Sequence, residues 1–136
     1  MAATDYRLLY DSRGVDDPTV GLNLAHSYYA LGDTANAKLK YQSVASSNDK
    51  KLKSIAYQQL GVMAKTPATL SESLQYLKAA LKADPANEEA RYNYEVVKKL
   101  LDQQKEQQQD QDQQNKDENK DQEKNEDQNE DQENQD

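Results

Sequence analysis

Residues 54 to 87 read SIAYQQLGVMAKTPATLSESLQYLKAALKADPAN, two amphipathic stretches parted by Pro67-Ala68 and closed by Asp84-Pro85. With Ser54 as position 1, Tyr57, Leu60, Gly61, Ala64, Leu77, Ala80 and Pro85 fall at positions 4, 7, 8, 11, 24, 27 and 32. Spacings of three and four put the apolar residues on one face of each helix. Thr69-Leu70-Ser71-Glu72 reads as a capping box that starts the second helix at Thr69. Ser73 and Leu77 take the small and the large packing positions of that helix.

The same register stands upstream from Pro18 to Lys51, where Leu24, Ala25, Tyr28, Gly32, Ala37, Tyr41 and Val44 occupy positions 7, 8, 11, 15, 20, 24 and 27. Small residues at 8 and 20 let two helices approach closely, while the larger ones at 7, 11 and 24 fill the space between them. Gly32 suits the tight turn, Asp33 the cap of the second helix, and Asp17 with Pro18 the start of the first. Two extra residues near Lys51 to Lys53 separate the units and are expected to lengthen a loop or add part of a turn. Before them, Tyr6, Leu9, Tyr10 and Arg13 share one helical face, so residues 1–17 read as a leading helix, a half repeat, with a frayed arm as the alternative.

Downstream, Asn87 is placed to cap a closing helix over 88–102, with Glu88 and Glu89 in the first turn, where the helix dipole favours acids. Ala90, Tyr94, Val97 and Leu101 form its apolar stripe, with Val96 and Leu100 beside it. Stacked helical repeats need about three units for stability, and a half repeat, two full units and a closing helix meet that requirement.

From Gln103 to Asp136 no residue is apolar, aromatic, Gly, Pro or Ser. This tail holds seven Asp and six Glu against four Lys, a net charge of −9, so with −8 for the whole chain the first 102 residues carry +1. Such a segment cannot join a core. A turn or two of helix followed by a disordered polyelectrolyte from about Asp110 is expected. Its roles on this reading are solubility and spacing, or an electrostatic handle for a basic partner.

Catalysis needs a nucleophile with a base, paired carboxylates in a cleft or a metal cluster, and the chain has one His, no Cys and no phosphate-cradling glycine loop. A non-enzymatic protein without cofactors is therefore expected, with His26 a half-buried groove residue and no metal site. Asp110 and Asp112 alternate as in a calcium loop but lack its Gly and bidentate Glu. Lys50, Lys51 and Lys53 cluster, as do Lys98 and Lys99. The tail's charge would nonetheless repel phosphates, so no nucleic acid is expected. No apolar run approaches the roughly 18 residues of a membrane span, and MAATDYRLLYDSR lacks the features of a signal peptide. The chain itself reads as cytoplasmic unless a leader was removed.

Over most of residues 18–102, LNLAHSYYALGDTANAKLKYQSV and YQQLGVMAKTPATLSESLQYLKAALKADPAN make the chain resemble a tetratricopeptide repeat protein. That resemblance implies an all-α, right-handed superhelix of about six helices, with first-helix positions lining a concave, peptide-binding groove. Those positions hold Leu22, Asn23, His26 and Tyr29; Ile55, Gln58, Gln59 and Val62; and Tyr92, Asn93, Val96 and Lys99. The amides Asn23, Gln59 and Asn93 suit the backbone of an extended peptide, and the apolar members either contact a ligand or pack on neighbouring helices. The basic positions of the family's carboxylate clamp hold Leu22, Glu89 and Asn93, so no clamp for a C-terminal acid is expected. The segment DPANEEARYNYEVVKKLLDQQKEQQQDQDQQNKD is similar, more narrowly, to BatC-type proteins of bacterial aerotolerance operons. This implies an envelope or periplasmic setting and von Willebrand-type membrane partners.

The function expected is a protein-interaction adaptor or scaffold that binds a peptide segment in the groove. The other reading is a structural or solubilising subunit whose acidic tail meets a basic partner.

Overall fold

The computed structural model describes residues 17–134, with side chains through 122, so the leading helix expected over 1–17 lies outside the described residues save for Asp17. Among the described residues the fold is all-α, with five helices and no strand: α1 Pro18–Ala30, α2 Thr34–Ala45, α3 Lys50–Met63, α4 Leu70–Ala83 and α5 Glu88–Asn134. They belong to two compact units, one ending at Lys99 and one beginning at Leu100.

Four of the five helices start where a short side chain satisfies otherwise orphaned amides. Asp17 accepts from Thr19 N at 2.9 Å, Asp33 from Asn36 N at 3.2 Å, and Asn87 from Ala90 N at 3.0 Å, all as expected. Between α1 and α2, Gly32 takes φ 80°, a conformation that penalises a Cβ. Its amide bonds Tyr29 O while Asp33 N bonds Tyr28 O, the paired bonds of a Schellman motif. The extra residues between the two repeats, near Lys51 to Lys53, add part of a helical turn. Asp49 accepts from Lys51 N and Leu52 N, so α3 begins at Lys50.

The turn from α3 to α4 departs from expectation. Thr69 is the N-cap of α4, but its side chain makes no cap bond and the reciprocal capping box does not form. Its hydroxyl donates instead to Ala64 O at 2.6 Å and so accepts from Thr66 Oγ1, also at 2.6 Å. Without a glycine here, a side-chain hydroxyl takes over one of the last carbonyls of α3.

Consecutive helices pack on one another, α1 on α2, α2 on α3 and α3 on α4, with a smaller contact between α1 and α3. Leu22, Ala25, Ala37, Tyr41, Val44, Ala45, Ala56 and Leu60 form one buried cluster, joined at its edge by Tyr28, Leu52, Ile55, Tyr57, Met63 and Tyr76. Ala25 and Ala37, the small positions of the first pair, are fully buried. In the second pair Gly61 and Ser73 have this role, and Ser73 Oγ donates to Gly61 O at 2.6 Å, a hydrogen bond from helix to helix. At the other end of the pair, buried Ser54 donates to Ala80 O at 2.7 Å and accepts from Asn87 Nδ2 at 2.9 Å. Within the first unit, Ala90 and Val97 of α5 are buried, as the apolar stripe predicts.

In the second unit, where disorder from about Asp110 is the expectation from sequence, α5 runs through Asn134. Residues 102–122 are all exposed, so no packing holds this part. Gln, Glu and Lys are strong helix formers, and Gln108 donates to Asp112 and Gln113 to Asp117 one turn along. A helix polar on every side follows from a sequence with no apolar residue to make a stripe. No helix among the described residues is long and apolar enough to cross a membrane.

Candidate functional site

A cleft of about 500 Å³ opens in the first unit between α1, α3 and the turn from α4 into α5. Its lining is His26 of α1; Lys51, Ile55, Gln58 and Gln59 of α3; Asp84, Ala86 and Asn87 of the turn; and Glu88 and Glu89 of α5. The helical spacing of Lys51, Ile55, Gln58 and Gln59 puts one face of α3 along the cleft. Asn87 fixes the opposite wall, since its Oδ1 caps α5 and its Nδ2 reaches Ser54 on α3. Asp84 shapes the turn by accepting from Ala86 N at 3.1 Å.

Four of the twelve residues picked out by sequence therefore share this cleft: His26, Ile55, Gln58 and Gln59. The others are distributed differently. Leu22 is only 7% exposed and belongs to the buried cluster, so it supports α1 and offers no surface to a ligand. Asn23, Val62, Asn93 and Val96 are half-buried, while Tyr29, Tyr92 and Lys99 are exposed, and none of these seven lines the cleft. Ile55 lines it while also packing on the core cluster, so both readings of its apolar side chain hold at once. Sequence reasoning missed the cleft positions of Lys51, Asp84, Glu88 and Glu89. The acids read fully as helix-start residues, and only the fold brings a turn some thirty residues away against α3. Lys50 and Lys53 line a different cleft together with Lys82 and Tyr57.

His26 is tied to the core: its Nδ1 lies 2.5 Å from the hydroxyl of Tyr41, with the rings edge-on. Tyr41 is fully buried, and burial followed by its proximity to Tyr29 pushes its phenol up to about 12. A buried phenol that stays protonated must donate, and imidazole Nδ1 is its acceptor among the described residues. That leaves the proton of neutral His26 on Nε2. Burial also lowers the His26 pKa below its ordinary 6.5, because the imidazolium loses hydration.

The folded chain therefore binds this proton less readily than the unfolded chain. The corresponding stability is complete above pH 6.5 and is lost as pH falls from there toward the folded-state value. Urea midpoints between pH 7.5 and 5.5 should fall more steeply in the wild type than in His26→Gln, whose amide can still accept from Tyr41. Equal slopes would refute the assignment.

Among the described residues no three His, Cys, Asp or Glu stand together as a metal group. The cleft offers amides, one neutral imidazole, a strip of apolar surface and an excess of carboxylates. This inventory offers hydrogen bonds and charge, and no nucleophile paired with a base stands in the cleft lining. Comparison with models of known protein families and with curated proteins finds no match for this chain.

Proposed function

We propose that this chain is a non-enzymatic interaction adaptor, a tetratricopeptide-like right-handed superhelix that captures an extended segment of a partner protein. The observation that carries the reading is the shared cleft, where Gln58 and Gln59 stand beside Ile55 and His26. Paired amides match the donor and acceptor of a peptide unit, and the isoleucine supplies the apolar contact that gives such binding its free energy. The tetratricopeptide pattern over residues 18–51 and 54–87 and the regular hairpin packing of α1 to α4 support the same reading. The narrower resemblance of the α5 region supports a place in a bacterial envelope complex, with a von Willebrand-type membrane protein as the partner.

The second unit favours one other reading, a structural or solubilising subunit that meets a basic partner through its tail. The observation behind it is the uninterrupted exposure of residues 102–122 in a segment of strong negative charge.

Purified full-length variants, tested for capture of the partner recovered with the wild type, separate the two readings. Gln59→Ala should reduce capture about fivefold or more, the scale of roughly 1 kcal/mol for one lost hydrogen bond, with helicity unchanged. Asn93→Ala, outside the cleft lining, should leave capture as it was. Equal loss from both, or from neither, contradicts the assignment.

A further inference from the structure

We propose that the cleft selects a partner segment bearing a lysine or arginine side chain beside an extended stretch of backbone. This rests on the reading of the cleft as a peptide site and names the chemistry of what enters it.

The first observation is Gln58. It is 3% exposed, it lines the cleft, and its amide has no hydrogen-bond partner among the described residues. No side-chain nitrogen or oxygen among the described residues is fully buried without a partner, so the unpaired amide of this otherwise buried residue reaches open space at the cleft, where a ligand can meet it. Of the polar groups that share the cleft, Asn87 is already committed and His26 is committed on one of its two ring nitrogens. Asn87 uses its oxygen on Ala90 N and its nitrogen on Ser54, and His26 uses Nδ1 on Tyr41. One C=O and one NH₂ group held together match the N–H and C=O of a passing peptide strand.

The second observation is charge. Asp84, Glu88 and Glu89 line the cleft together with Lys51, an excess of two negative charges. His26 adds nothing to offset it near neutral pH, since it is held neutral. The N-terminus of α5 contributes about half a positive charge, which reduces the excess without cancelling it. No ion pair engages Glu88 or Glu89 among the described residues. A ligand ammonium or guanidinium would supply the charge-assisted partner these carboxylates lack, while a ligand carboxylate would be repelled.

The test uses the ¹⁵N-labelled full-length chain titrated with acetyl-Ala-Ala-Lys-Ala-Ala-amide and with the same peptide carrying norleucine or glutamate in place of lysine. With the lysine peptide, the Gln58 side-chain NH₂ and the Glu88 and Glu89 amides should shift saturably. The norleucine peptide should bind about tenfold more weakly, the range expected when a charge-assisted hydrogen bond is lost, and the glutamate peptide should not bind. Gln58→Met keeps the side-chain volume and should lose the lysine-peptide shifts. The exposed pair Glu88→Gln with Glu89→Gln should erase the preference for lysine even if Gln58→Met fails to fold. Equal affinity for lysine and norleucine peptides, with the cleft resonances shifting, would overturn cation selection and leave the peptide cleft standing. No cleft shifts with any peptide, or shifts confined to residues 103–136, would overturn both.

Discussion

Leu77→Ala should lower the unfolding free energy by about 3 kcal/mol, within the range measured when a fully buried leucine is truncated. Leu77 has no exposed surface and lies against α3 at its narrowest point, over Gly61. A Cβ built on Gly61 would stand 2.7 Å from Leu77 Cγ and 2.9 Å from its Cδ2. Because a buried leucine has nowhere to turn, Gly61→Ala should destabilise by overpacking, about 1–3 kcal/mol, against which alanine's better helix propensity returns roughly 1. The two substitutions should compensate, since the new methyl enters space that Leu77 vacates. The double variant should then be more stable than the sum of the singles by about 1 kcal/mol, as expected for residues in direct contact. Chemical denaturation of the three variants measures this, and strict additivity would show that the helices do not meet at this point.

The hydrogen bond beside that contact gives the second large effect. Ser73→Ala should destabilise by about 2 kcal/mol, the cost of leaving a buried carbonyl without a donor. Gly61 sits in the last turn of α3, and the Lys65 amide that could have reached Gly61 O bonds Val62 O at 3.2 Å. The hydroxyl of Ser73, itself fully buried, takes over that orphaned carbonyl from the facing helix. A change below about 0.5 kcal/mol would mean the carbonyl finds another partner at the level of an ordinary surface substitution.

Most of the helical layout of the described residues is legible in the residues that begin and end each helix. Asp17 with Pro18, Asp33, Asn87 and Gly32 each have one physical use at their positions, and the structure puts them to it. Asp49 escaped notice because the repeat register divides the units just after it, so its capping role competes with a linker reading. Thr69 misled for another reason. A threonine followed three residues later by glutamate satisfies the capping-box pattern, yet its hydroxyl is drawn to Ala64 O, a contact that depends on how α3 ends. In the tail, absence of a core does not by itself exclude helix, since intrinsic propensity and amide–carboxylate pairs one turn apart act without a core.

The cleft was legible by half. The resemblance implies which positions of α3 line a groove, and Ile55, Gln58 and Gln59 follow from it. The acidic wall does not follow, because Glu88 and Glu89 are explained in sequence by the helix they begin. Their second neighbourhood depends on the turn at Asp84 to Asn87 being tied to Ser54 by a bond between residues 33 apart. Leu22 went the other way: its position suits a groove, but the packing of α1 on α2 turns it inward.

The central claim is that the partner is held in the cleft and not by the acidic tail. Photo-crosslinking tests it most directly, with p-benzoylphenylalanine placed at position 59 in one full-length chain and at position 113 in another. The account predicts a partner adduct from position 59 that competing partner peptide abolishes, with none from position 113. An adduct from position 113 alone, lost at high salt, would contradict it.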